Sequence, residues 1–205
     1  TLEDARALRA RLRPGVRVAC IGAGVIGLEI AAATSARGCL VEVIEAGGQP
    51  MGRSLTPEFA AWIAGLHRAA GVRLHLNAAV QSIEHDRVIC ADGLVVEADL
   101  VVAGVGMQRR TALAEAAGIS TDGGIVVDAF GRTSMANIYA AGDVAAFWHQ
   151  RYGRRLRLEN WRHAQNHGIA TGRAMAGVPE PYDEIPRFWS DQHGVRIQLV
   201  GDPTG

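Results

Sequence analysis

Three glycines and one carboxylate carry the first chemistry legible in this sequence. Gly22, Gly24 and Gly27 follow the Gly-x-Gly-x-x-Gly spacing, and Glu45 lies 23 residues beyond Gly22. Glycine at the first position permits a tight turn, at the second lets backbone approach a pyrophosphate, and at the third lets a helix pack closely on a strand. The amides of Val25 and Ile26 would open that helix and face an anion along its dipole. A carboxylate at Glu45 can accept hydrogen bonds from an adenine-ribose diol, and it repels a 2′-phosphate. Ala46-Gly47-Gly48 offer such a phosphate no arginine, and the nearest, Arg53, stands well into the loop. NAD(H) is therefore expected over NADP(H). The plainer alternatives are a glycine-rich helix start and an ordinary strand-end acid.

Composition narrows the remaining classes. All 21 basic residues are arginine, matched by 21 acids for a net charge of zero. No P-loop, Schiff-base or kinase-type lysine exists in these 205 residues. Balanced charge argues against binding driven by nucleic-acid phosphates. Cys20, Cys39 and Cys90 are far apart and form no Cys-x-x-Cys pair, so no dithiol centre or four-cysteine zinc site is expected. Buried thiols in a cytoplasmic protein are the expectation. No apolar run reaches the ~20 residues of a membrane span, so no membrane association is expected. His163 and His167 stand at i, i+4 without a third ligand of suitable spacing, and no metal site is expected.

The elements that must position these residues follow from periodicity and punctuation. A short helix is predicted over 1–13. A strand over 16–21 leads into the glycine turn, and an Ala-rich helix then runs to Arg37, with Gly38 just past its end. A strand over 40–45 follows, then a helix over 57–70 with Phe59, Ile63 and Leu66 on one face, and a strand over 72–76. Short strands over 80–83, 87–90 and 94–96, separated by turn signals, predict an antiparallel meander. A strand over 100–103 runs into Gly104-Val105-Gly106. A helix over 111–117, a strand over 125–127 and a helix over about 160–175 complete an α/β pattern.

Several stretches now fall in one order along the chain: Gly22 to Glu29 with Glu45, the Gly104-Val105-Gly106 turn, Thr133-Ser134 with Ile138-Tyr-Ala-Ala-Gly142-Asp143-Val-Ala145, Arg157-Leu-Glu-Asn160-Trp161-Arg-His-Ala164, and Tyr182 with Pro186-Arg-Phe-Trp189-Ser-Asp-Gln192. Together they resemble the FAD-dependent pyridine nucleotide-disulfide oxidoreductase superfamily. Within it they are most similar to the branch of ferredoxin, rubredoxin and putidaredoxin reductases. The resemblance implies FAD and NAD as cofactors and a ferredoxin-type iron–sulfur protein as partner. It implies a Rossmann-like NAD-binding domain with the meander over 1–107, the second segment of an FAD-binding domain over 108–180, and the start of a C-terminal interface domain over 181–205. Electrons would pass from NADH through FAD to the iron–sulfur protein.

The same resemblance implies individual roles. Asp143, after Gly142, would bind the FAD ribityl chain; read locally, it is also a helix N-cap. The helix starting near Asn160, with Trp161 and Ala164, would aim its positive end at the flavin's pyrimidine edge. Gly104 and Gly106 would lie against the nicotinamide nucleotide. Trp189 would lie close to the flavin, with a half-buried packing tryptophan as the alternative. Glu29 would be an acid on the nicotinamide side, paired in the family with a lysine; its alternative is a solvent-facing helix glutamate. Glu29 and Trp189 are thus the catalytic candidates.

The chain also departs from the family's pattern. Met107-Gln108-Arg109-Arg110 stands where Pro-Asn usually follows the second glycine turn. No first Gly-x-Gly-x-x-Gly unit precedes Thr1, so the resemblance implies an internal piece of a reductase with weak FAD retention by itself. Arg151, Arg154, Arg155, Arg157 and Arg162 cluster against Glu159 alone, as a solvated face or as a docking patch for an acidic ferredoxin. A non-catalytic NAD-binding module and a disulfide-reductase-type member are the competing readings. The sequence sets no oligomeric state.

Overall fold

The structure, a computed structural model, describes residues 1–52 and 54–201. Arg53 and residues 202–205 lie outside the described residues. The described residues form two compact units, one of Thr1–Gly106 with Ser190–Ile197, the other of Met107–Trp189 with residues 198–201. The residues from 181 on, expected as the start of a third domain, are shared between these two units.

The first unit opens with helix α1 (Leu2–Arg11), held by a reciprocal capping box between Thr1 and Asp4. Strand β1 (Arg17–Ile21), helix α2 (Val25–Ser35), strand β2 (Leu40–Ile44), helix α3 (Pro57–Ala69) and strand β3 (Arg73–His75) follow. A meander of β4 (Val80–Ile83), β5 (Arg87–Cys90) and β6 (Val95–Glu97) precedes strand β7 (Leu100–Ala103). Four of these strands form a parallel sheet in the order β3-β2-β1-β7, with Cys20 of β1 opposite Val43 on one side and Val102 on the other. The chain leaves β1 for β2 on one flank and returns as β7 on the other. That reversal makes the carboxyl end of β1 the topological switch point, where ligands of open α/β sheets bind. The unit is Rossmann-like, with the meander in place of a further helical crossover.

The core explains why β1 is an almost continuous apolar run. Ala19, Ile21 and Ile44 from the sheet pack with Val88, Cys90 and Val96 from the meander. Covering the second face of a parallel sheet removes the polar alternation that a half-exposed strand would show. Helix α3 is turned slightly from the predicted face. Ala60, Ile63, Ala64 and His67 point inward, while Phe59 is 40 % exposed and stacks on Trp62. All three cysteines are free and buried, and burial pushes the Cys20 thiol up to about 12, which makes it an inert packing group.

The second unit holds helix α4 (Ala112–Ala116), strand β8 (Ile125–Val127), a 3-10 turn (Gly142–Val144), strands β9 (Ala145–His149) and β10 (Arg154–Leu156), and helix α5 (Trp161–Met175). Strand β9 pairs parallel to β8 and antiparallel to β10. A final hairpin, β11 (Arg187–Gln192) with β12 (Val195–Val200), contributes to both units. The core of the second unit gathers Val127, Ala145, Phe147, Leu156 and Tyr182. Strands β9, β10, β11 and β12 were not foreseen. Ala145-Ala146-Phe147 carries no alternation, and its pairing with β8 and β10 selects the extended form. An apolar helix was expected after Asp143, but a single 3-10 turn and a strand follow it.

Candidate functional site

The glycine turn closes the carboxyl end of β1 as its spacing requires. Gly22 has φ +94°, and a Cβ there would lie 2.6 Å from the carbonyl oxygen of Gly104. A Cβ on Gly27 would overlap the Gly22 carbonyl oxygen, so the third glycine sets how closely α2 sits on β1. Gly24 differs: nothing lies within 4 Å of the Cβ it lacks. It is the N-cap of α2 and offers no side-chain cap, and the first helical hydrogen bond is donated by Leu28 to Gly24. The amino end of α2, at Val25 and Ile26, is therefore an uncapped set of donors suited to an anion.

Glu45 stands directly after β2 and is tied across this turn. Its carboxylate accepts from the Ala23 amide at 2.7 Å and from the Gly47 amide at 2.7 Å. Two backbone bonds hold the acid beside the glycine turn, with lone pairs left over for a diol. Gly104 follows β7 and donates its amide to Ile21 at 2.7 Å, which brings the second glycine turn against the first. Gly106 has φ +110° and is exposed. The structure thus gathers Gly22, Gly24, Gly27, Glu45 and Gly104 at the carboxyl ends of β1, β2 and β7.

Glu29 lies one turn further along α2 and is half-buried. Its Oε1 accepts the Ser190 hydroxyl at 2.7 Å, so it is not a free solvent-facing glutamate. Sequence reasoning had singled out both stretches without joining them. Nothing local signals a bond across 161 residues.

The second unit presents a separate group of expected residues. Asn160 caps α5, its Oδ1 accepting from the His163 amide at 2.9 Å. Gly142 has φ +75°, and a Cβ there would stand 3.4 Å from the Cβ of Ala164 on α5. Asp143 caps no helix, and this corrects its local reading. Its Oδ1 is buried with no hydrogen-bond partner. Burial and the nearby Glu159 raise its carboxyl above the usual range, opposed by Arg157. Glu159 itself pairs with Arg157 and with Arg109 at 3.3 Å. Trp161 is 67 % exposed and Trp189 43 % exposed, and the two rings meet edge to face at 6.1 Å. Trp189 is thus half-buried, as the packing alternative requires, with part of its ring left open.

Outside the 163/167 pair, His67 and His149 are fully buried, although the other five histidines read as ordinary surface or boundary residues. One further expectation needs correction. The arginine cluster was read against Glu159 alone, but Arg151 faces Asp183, Arg155 faces Asp122, and Arg162 meets Glu184 at 3.0 Å. Their acids come from separate parts of the chain, which a linear reading does not bring together. Arg154 has an interaction of its own. Among the described residues no cluster of three or more ligating side chains could hold a metal ion, and no helix is long and apolar enough to cross a membrane.

Comparison with known proteins extends this geometry. The chain is 38% identical over 208 residues to the anthranilate 1,2-dioxygenase system ferredoxin–NAD(+) reductase component of Burkholderia cepacia, covering 98% of this chain and 50% of that one. The structure of a ferredoxin reductase for the CYP199A2 system from Rhodopseudomonas palustris superposes with a TM-score of 0.94 at 37% identity, over 100% of this chain and 52% of that one. The covalent putidaredoxin reductase–putidaredoxin complex gives 0.93 at 36% identity, over 98% and 50%. The chain spans about half the length of the curated relatives it matches. Because residues 1–168 match the sequence pattern described as pyridine nucleotide-disulphide oxidoreductase, the chain belongs to that family.

Proposed function

We propose that this chain carries the NAD(H) site and part of the FAD site of an oxidoreductase that moves electrons from NADH through FAD to a ferredoxin-type iron–sulfur protein. The observation that carries the reading is the convergence of Gly22, Gly104 and Glu45 at the switch point of the parallel sheet. The uncapped amino end of α2 would hold the pyrophosphate of NADH, and Glu45 its adenine-ribose diol. For FAD, the fit rests on Asp143: a buried acceptor without a donor suits a ribityl hydroxyl. The Asn160-capped end of α5 would turn its positive pole toward the electron-rich edge of the ring system. Bound there, a flavin supplies the exchange between a two-electron donor and a one-electron acceptor. Exposed Trp161 and Trp189 would border it.

The names of the relatives favour an iron–sulfur partner, and one solved structure is a complex of reductase and redox protein. Arginines on the second unit would steer an acidic partner, raising the encounter rate more than the final affinity. A cytoplasmic setting fits three free, buried thiols. The test uses the native protein as isolated, titrated with NADH without oxygen and then mixed with an oxidised [2Fe–2S] ferredoxin. Flavin absorbance that bleaches with NADH and returns as the ferredoxin is reduced is expected. A colourless protein that binds NADH fits weak FAD retention; one that binds NADH yet reduces neither added FAD nor ferredoxin would establish the non-catalytic module and sink this reading.

Nucleotide choice gives a second check. Glu45→Ala is expected to weaken NADH by about tenfold, the scale of hydrogen bonds to a charged group, and to relax discrimination against NADPH by lifting the repulsion of its 2′-phosphate. Dissociation constants for both nucleotides measure this. Equal affinities in the unaltered protein would refute the diol role.

A further inference from the structure

The bond between Glu29 and Ser190 is the inner end of a longer chain, all of it within the first unit. Ser190 Oγ donates to Glu29 Oε1 at 2.7 Å and accepts from Gln192 Nε2 at 2.9 Å. Gln192 Oε1 meets His67 Nε2 at 2.9 Å, and His67 Nδ1 meets His193 Nε2 at 3.1 Å. An amide oxygen only accepts, so His67 Nε2 carries the proton and Nδ1 accepts one from His193. Every link therefore points its donor the same way, toward the carboxylate of Glu29. Ser190, Gln192 and His67 are fully buried; only His193 is part-exposed. Burial also lowers the affinity of His67 for a second proton, which keeps it in the neutral form the chain requires.

The outer end of this chain lies in a tight loop. His193 and Gly194 form the two-residue loop between β11 and β12, with φ +49° and +77°. A loop with both residues at positive φ favours Asn-Gly or Gly-Gly, and histidine is a less common occupant. What histidine gains here is its bond to His67. On the other side, Gln192 and Ser190 point the same way from β11 because strand side chains alternate with period two.

We propose that Ser190 is a positioning residue, held by Gln192, His67 and His193, that fixes the carboxylate of Glu29 for the nicotinamide end of NADH. The proposal rests on the reading of Glu29 given above. Without the Ser190 hydroxyl, the carboxylate is free to turn among rotamers, and NADH loses a preorganised acceptor. The adenine half of the nucleotide, held by the glycine turn and Glu45, is unaffected.

The test is a double-mutant cycle of Ser190→Ala and Glu29→Gln, titrated calorimetrically with NADH and with ADP-ribose. Ser190→Ala is expected to weaken NADH about fivefold and ADP-ribose less than about twofold, and to have little effect once Glu29→Gln is present. His193→Asn, which suits positive φ and leaves the buried links in place, is expected to weaken NADH about threefold with ADP-ribose unchanged. Equal losses for both ligands, or equal effects of Ser190→Ala in both backgrounds, would overturn the proposal while leaving the role of Glu29 intact. Glu29→Gln without any effect on NADH would overturn the role of Glu29 and this proposal with it.

Discussion

Gly27→Ala is expected to weaken NADH binding about a hundredfold and to lower stability by about 1–3 kcal/mol, the usual range for overpacking. Gly24→Ala is expected to lose binding alone. The two glycines sit three residues apart in one motif, so the contrast isolates their separate jobs. A methyl on Gly27 would overlap the Gly22 carbonyl oxygen, which is backbone and cannot rotate away. Helix α2 would have to lift from β1, carrying its amino end and Glu29 with it. A methyl on Gly24 meets nothing in the protein itself. It would instead stand where the backbone must approach the pyrophosphate. Denaturant unfolding measures the first effect and calorimetric titration with NADH the second. Wild-type stability in Gly27→Ala would refute the packing argument.

Acid is expected to destabilise the second unit steeply below about pH 6.5, the ordinary histidine value. His163 and His167 lie on one face of α5, buried among Phe147 and Tyr182, with ring centroids 5.0 Å apart. Burial pushes His163 down to about 4, and burial together with His163 pushes His167 down to about 3. Since both folded values lie below the unfolded one, the unfolded chain takes up protons first as pH falls. Stability is therefore full above pH 6.5 and declines by about 1.4 kcal/mol per pH unit for each histidine, or about 3 for the pair. The decline continues until the pH nears 4, where the native state begins to protonate as well.

That titration reaches the candidate flavin site directly. His167 Nδ1 accepts the Gly142 amide at 3.3 Å, and a protonated ring could no longer do so. Gly142 precedes Asp143, so acid should loosen the turn that holds the orphan carboxylate. Urea unfolding between pH 5 and 7.5 measures the slope. His163→Phe, which preserves stacking on Phe147 at 5.1 Å, is expected to halve it. An unchanged slope in that variant would remove the histidine pair as its cause.

How much of this was legible beforehand depends on the range of each interaction. The first βαβ unit could be read almost element by element, because its strands, glycine turn and helix breaks are local signals. The place of Glu45 at the end of β2 could be read from spacing for the same reason. Strand β9 could not, because Ala145 to His149 has neither alternation nor turn chemistry of its own, and its pairing with β8 comes from elsewhere in the chain. Asp143 was misread locally as a cap because a Gly-Asp pair before an apolar stretch reads alike for a helix and a strand.

The sequence by itself determined the α/β class, the glycine turn after β1 and the family likeness, since those rest on residues whose spacing along short segments already dictates their geometry. Only the tertiary structure decided that Glu29 is held by Ser190, that the arginines have acids facing them, and that His67, His163 and His167 are buried. The physical reason is that burial and hydrogen-bond partnership are properties of packed neighbours. Across 161 residues no local propensity can name the partner; the fold does so by closing the distance.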